Sequence, residues 1–266
     1  MRTGVELPCS TSRPTMPIVQ PWHEDDAFWT DVEPVLFSAA RLSQAGADVD
    51  GVLRLAGVRT DASVLDLGCG VGRHSLEFSR RGFRVTGVDR QSTYLARARA
   101  LASERSLDVE WVESDMRTFT RPAAFDLAVS LLTSFGFFEN PEDDRRVLAN
   151  VHAGLRIGGV LVMEMMGKEV LARRFVATDW HEEPDGTLLL EQRAVGDGWR
   201  QLAVRWIVLR ANRRSEHRFT LRLYSGMELE IMLRDVGFRR VDLFGSLGGA
   251  AYDQQAERLV AVARKT

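Results

Sequence analysis

Apolar and polar positions follow two different rhythms along this chain. From about 62 to 165, short apolar runs of strand length alternate with segments whose apolar residues recur at helical spacing. That alternation predicts a parallel α/β sheet. Strands are expected at 64–67, 83–88, 109–112, 125–131 and 160–164. The helix between 92 and 105 carries Leu95, Ala98, Leu101 and Ala102 on one face, with Arg97, Arg99, Glu104 and Arg105 as a solvated face. Pro141-Glu142-Asp143-Asp144 opens another helix that ends near Gly154, and Ile157-Gly158-Gly159 turns the chain into the fifth strand.

Between 170 and 224 the rhythm changes to period two. Residues 187–193 are followed by the turn signal Gly196-Asp197-Gly198. Leu202, Val204, Trp206 and Val208 then alternate on one face, and after a polar turn at 211–216 so do His217, Phe219, Leu221 and Leu223. Three strands joined by short turns predict an inserted antiparallel sheet over 170–224, a substrate cap or a surface for homo-oligomer formation. A helix at 225–235 and strands at 240–244 and 258–262 complete a core of 61–169 and 225–266. Residues 1–20 show no periodicity and are read as a disordered tail, with Met16 a candidate start. Helices over 21–60 begin after the acid-rich Trp22-His23-Glu24-Asp25-Asp26 and run through Phe28, Trp29, Val32, Leu36 and Phe37.

Candidate chemistry concentrates where strands end. The first strand runs through Asp66 into Gly68-Cys69-Gly70-Val71-Gly72, and a helix opens at Arg73-His74-Ser75. Glycines let a ligand approach the main chain, and the following helix N-terminus suits a nucleotide-type ligand. A dinucleotide fingerprint wants its third glycine three residues after the second, whereas position 73 is Arg73. The second strand ends in Asp89, able to accept both hydroxyls of a ribose, and the third leads to Asp115-Met116.

These segments resemble the class I S-adenosylmethionine-dependent methyltransferases. They are Asp66-x-Gly68-x-Gly70-x-Gly72, Asp89, Asp115-Met116 and Phe125-Asp126. Cys69 to Ser75, Asp115 to Arg117 and Ser134-Phe135-Gly136-Phe137-Phe138 further resemble bacterial small-molecule methyltransferases, some of which tailor antibiotics by N-methylation. The resemblance implies a Rossmann-like fold with a seven-stranded, mostly parallel sheet, the 21–60 helices as a lid, and the inserted three-stranded antiparallel sheet. It implies S-adenosyl-L-methionine as cofactor and S-adenosyl-L-homocysteine as product. Asp89 would hold the ribose, and Asp115 with the Met116 amide would hold the adenine. The turn of Asp66, Gly68, Cys69, Gly70 and Gly72 would pass beneath the methionine part, with Arg90 and Leu131 beside the cofactor. Arg41 would clamp its carboxylate, as an arginine fork can.

On the acceptor side, Phe135 and Phe138 are candidates to surround the sulfonium methyl, as a dry aromatic wall would. His181, between Trp180 and Glu182-Glu183, has the pKa range of a general base, and Tyr224 ends the inserted sheet. An amine with a free lone pair needs no base, which favours nitrogen. Three alternatives remain open at this point. They are O-methylation with His181 as base, a non-catalytic cofactor-binding partner subunit, and an enzyme that uses the cofactor without transferring methyl.

Composition narrows the partners. The 266 residues suffice to bury about 75% of the unfolded surface. A formal net charge of -2 gives no global attraction to nucleic acid or anionic membrane, so a small-molecule acceptor is expected. No apolar run approaches membrane-spanning length. Cys9 and Cys69 form no disulfide framework, which fits a reducing cytoplasm, and no His or Cys pair has metal-ligand spacing.

Overall fold

The computed structural model describes residues 21–266. The readings of 1–20, the disordered tail and Met16 among them, lie outside the described residues, as does Cys9. Five strands alternate with helices: β1 Ser63–Leu67, β2 Arg84–Asp89, β3 Glu110–Glu113, β4 Phe125–Ser130 and β5 Leu155–Met165. Between and before them lie α1 Asp26–Leu36, α2 Ala39–Ser43, α3 Ala45–Ala56, α4 Arg73–Arg80, α5 Ser92–Glu104 and α6 Pro141–Gly154. After β5 come α7 Lys168–Arg174 and the strands β6 Thr178–Glu182, β7 Leu188–Gly196, β8 Gln201–Arg210 and β9 Arg213–Arg222. The chain closes with α8 Gly226–Asp235, β10 Arg240–Phe244 and β11 Leu259–Arg264.

The main sheet has seven strands in the order β10-β11-β5-β4-β1-β2-β3. β11 runs antiparallel to both β5 and β10, and the other pairs are parallel. Successive residues of one strand feed opposite apolar layers. Leu65 and Leu67 pack with Leu148, Leu155, Leu229 and Phe238, whereas Val64 packs with Val49, Val52, Leu76 and Phe78. Both faces are therefore apolar, which explains the near-continuous apolar runs. Strand order reverses between β1 and β4, and in open sheets that switch point forms a crevice at the carboxyl ends.

The Ile157-Gly158-Gly159 turn lies inside a longer β5. Leu155 pairs with Phe125 and Val160 with Leu127, so the intervening residues bulge out of register. The inserted sheet differs from expectation. It has four strands, β6-β7-β8-β9, rather than three. The additional strand β6 contains Trp180-His181-Glu182, ahead of residues 187–193, where the sequence pattern begins the inserted sheet. β6 is an edge strand paired only with β7, and Thr178, Asp179 and Trp180 are exposed. An edge strand without a buried face leaves no alternation to read. The apolar face of this sheet, Leu202, Val204, Val208 and Phe219, packs on Phe28, Val32 and Val35 of α1. That contact ties the insertion to the N-terminal helices.

Candidate active site

The glycine turn is pinned by the neighbouring strand. The amides of Gly68 and Cys69 both donate to the Val88 carbonyl, at 2.8 and 3.1 Å. Gly70 donates its amide to Asp89 Oδ2 at 2.7 Å, and the Gln91 amide donates to Oδ1 at 2.8 Å. Asp89 is half-buried, and burial pushes its carboxyl above the usual range. A carboxylate offers about four lone-pair sites, so acceptor capacity remains for hydroxyl donors. Gly70 has φ 56°, and a Cβ there would lie 2.7 Å from the Phe37 ring. Asp66 lies deeper, 2% exposed, accepting the Ser75 hydroxyl at 2.6 Å; burial raises its pKa. It anchors the first turn of α4 beneath the glycines. Cys69 is a buried thiol pushed well up by burial.

At the end of β3, Asp115 is held by Arg117. The Arg117 amide and Nε both donate to Oδ1, at 2.8 and 3.0 Å. Burial would raise the Asp115 pKa, but the Arg117 hydrogen bonds outweigh it and leave the carboxyl below its usual range. Arg117 also reaches Glu24 Oε1 at 3.0 Å and lies 4.7 Å from the centre of the Phe138 ring. His23 meets the same ring edge-on at 5.1 Å, and burial followed by the Arg117 charge lowers its pKa. Met116 lies half-buried against Gly68, and Arg90 is exposed, donating to the His23 carbonyl at 3.4 Å. The sequence pattern gives no role to His23 or Arg117, because the contact of Arg117 with Glu24 joins positions 93 residues apart.

Arg41 is exposed on α2. Its carbonyl accepts from Arg73 at 2.7 Å, and Arg73 and His74 both approach Asp48 Oδ2, at 3.4 and 3.1 Å. These contacts fasten α2 and α3 to the start of α4.

After β4, Leu131 is buried, and Leu132 and Thr133 both adopt positive φ, 58° and 64°. Phe135 is buried 5.5 Å from the Tyr224 ring. The Tyr224 hydroxyl donates to Asp144 at 2.6 Å, a carboxyl that sequence reasoning read only as part of a helix start. Tyr224 is thereby engaged away from solvent, 6% exposed.

A cavity of about 1000 Å³ opens between the Phe137-Phe138-Glu139 segment, Trp22 and the polar face of the inserted sheet, which contributes Gln192, Arg205, Thr220 and Arg222. Phe138 lines this cavity, whereas Phe135, His181 and Tyr224 do not. His181 sits on β6 with its Nε2 3.5 Å from Glu183. Among the described residues no group of three or more His, Cys, Asp or Glu is arranged to hold a metal ion. No described helix is long and apolar enough to cross a membrane.

Residues 64–159, from β1 to the bulge in β5, match the family model of a methyltransferase domain. With the sheet order and the acids at the strand ends, this match gives the chain the fold of the class I S-adenosylmethionine-dependent methyltransferases. A glycine/sarcosine N-methyltransferase of Parasynechococcus marenigrum is 32% identical over 46% of this chain and 44% of its own length. A dTDP-3-amino-3,4,6-trideoxy-α-D-glucopyranose N,N-dimethyltransferase of Streptomyces venezuelae is 27% identical over 61% of this chain and 68% of its own. The chain spans about half the length of the first curated relatives it matches. The structure of an S-adenosylmethionine-bound amino pentose methyltransferase from Micromonospora echinaspora, involved in calicheamicin biosynthesis, superposes with a TM-score of 0.64. It is 26% identical and covers 86% of this chain and 98% of that one.

The residues fit this cofactor. Asp89 is oriented by the Gly70 and Gln91 amides, with acceptor capacity left for ribose hydroxyls, and Asp66 and Asp115 stand at the neighbouring strand ends. The cofactor supplies an electrophilic methyl on a sulfonium.

Proposed function

We propose that this chain transfers a methyl group from S-adenosylmethionine to the nitrogen of a small-molecule amine, in secondary metabolism. The observation that carries the reading is the acceptor cavity, large enough for a drug-sized molecule and bordered by Phe138 at the post-β4 turn. Among the described lining residues the one imidazole, His217, has its Nε2 3.1 Å from Asp31 Oδ2 and is held against α1. An amine acceptor with its lone pair free needs no general base at all. Relatives that methylate amino sugars and glycine support nitrogen as the acceptor atom.

In this reading residues 21–60 form the lid and the four-stranded insertion forms the far wall of the acceptor cavity. Asp89 holds the ribose, Asp115 and Met116 flank the adenine, and the glycine turn with Leu131 borders the methionine part. Phe138 and the segment around it exclude water. Positioning then supplies most of the acceleration, worth roughly 7–11 kcal/mol of barrier for well-oriented reactants. The test is product mass after incubation with methyl-deuterated cofactor and a panel of amino sugars, amino acids and their hydroxyl counterparts. A label found on nitrogen supports the proposal. A label found only on oxygen overturns it.

A further inference from the structure

Leu132 and Thr133 are consecutive non-glycine residues in the left-handed region, at φ 58° and 64°. L-residues rarely adopt this conformation, and a β-branched one such as Thr133 is a sharper exception. Such strain persists only where surrounding structure over-determines it. Here the restraint comes from the end of β5. Glu164 is 5% exposed, and its Oε2 accepts the Leu132 amide at 2.7 Å. The Glu164 carbonyl accepts the Thr133 amide at 3.0 Å. Its other carboxylate oxygen is paired with Arg258 Nε, and Arg258 Nη2 donates to the Thr133 hydroxyl at 2.9 Å. That hydroxyl in turn accepts the Met166 amide at 3.3 Å.

The strained pair has a consequence one residue further on. Ser134 donates to the Leu131 carbonyl at 2.9 Å, and its Cβ lies 2.9 Å from where a Cβ on Gly68 would be. The post-β4 turn and the glycine turn are therefore packed as one unit. We infer that Glu164, with Arg258 as its counter-charge, is a positioning residue that holds the Leu132–Thr133 turn against the glycine turn and so fixes the methionine end of the cofactor cleft. The hydrogen bonds of Glu164 go to the Leu132–Thr133 turn and to Arg258, and it does not line the cavity, so it acts through the turn. This inference rests on the cofactor reading given above.

Two readouts separate it from that reading. The first is S-adenosylhomocysteine affinity by calorimetry, for the parent chain, Glu164→Ala, Leu132→Gly and the double variant. Glu164→Ala should weaken binding roughly tenfold or more, in line with release of one strained residue. Leu132 is exposed and its side chain carries none of these bonds, so Leu132→Gly alone sets the baseline against which the double variant is read. In the double variant, glycine accepts positive φ without help and should restore most of the lost affinity. The second readout is hydrogen exchange at the Leu132 amide, which should speed up in Glu164→Ala and needs no ligand.

Should Glu164→Ala fail to fold, Glu164→Gln keeps an acceptor for the Leu132 amide but loses the charge facing Arg258. It should then show a smaller loss with the same glycine rescue. Unchanged affinity in Glu164→Ala, or a double variant no better than Glu164→Ala, overturns the assignment. A parent chain that binds no S-adenosylhomocysteine while Leu132 exchange still depends on Glu164 counts against the cofactor reading instead.

Discussion

The Gly70 amide donates to the Asp89 carboxylate at 2.7 Å, joining the turn after β1 to the end of β2. The same carboxylate that would take the ribose hydroxyls therefore also orders the glycine turn. Removing it has two effects at once.

Asp89→Ala should weaken S-adenosylhomocysteine binding by about 2–3 kcal/mol, since charge-assisted hydrogen bonds contribute about 1.5–3 kcal/mol each without being additive. Asp89→Asn, which keeps one oxygen acceptor, should lose less. Calorimetry measures both, and an unchanged affinity in the alanine variant refutes the assignment of this strand end.

NAD and NADP should not bind. Position 73 carries Arg73, where a dinucleotide fingerprint places its third glycine, and that side chain is buried against α2 and α3. Thermal-shift measurements at millimolar ligand check this. Stabilisation by either dinucleotide, with none from S-adenosylmethionine, would overturn the cofactor reading.

Stability should fall as pH rises through Asp144. Its carboxyl is pushed up to about 6 by burial, against which the Tyr224 hydroxyl and the Arg222 charge act only in part. A carboxyl whose folded pKa exceeds its unfolded value favours the folded state below the unfolded pKa, and that contribution is lost as pH rises through the folded one. The window here runs from about 4 to just above 6. Asp144→Asn stays neutral and still offers an oxygen to Tyr224. It should match the parent below pH 4 and exceed it at pH 8, by up to roughly 3 kcal/mol for a two-unit shift. Urea unfolding at both pH values measures the difference, and equal stability at pH 8 contradicts the account.

If positioning dominates catalysis, His181→Ala should cost less than about tenfold in single-turnover rate, well under the ~10²–10⁴ of a true general base. Phe138→Ala should cost as much or more, because it removes a cavity wall that also braces His23 and Arg117. A His181 variant slowed a thousandfold with normal cofactor affinity would instead assign it the base of a hydroxyl acceptor.

The sequence by itself determined the parallel core and the acids and glycines at its carboxyl edge. Apolar runs of strand length, bounded by turn residues and alternating with helical segments, read as strands buried on both faces, and acids or glycines at their carboxyl ends gather at one edge of an open sheet. Asp66, Asp89 and Asp115 lie at those ends, although Asp66 turned out to brace α4 and Asp115 to grip Arg117. Glu164 carried the same signal, an acid ending an apolar strand, and could have been read by the same logic. Tertiary structure decided what depends on partners distant in the chain. An edge strand such as β6 gains its hydrogen bonds from β7 and needs no apolar alternation of its own. Tyr224 and Asp144 lie 80 positions apart, and Arg258 reaches Thr133 across 125. Local periodicity carries no trace of such pairs, because each is set by how helices and loops dock on the sheet. For the same reason only the fold could separate His181, on the edge strand β6, from Phe138, on the wall of the large cavity.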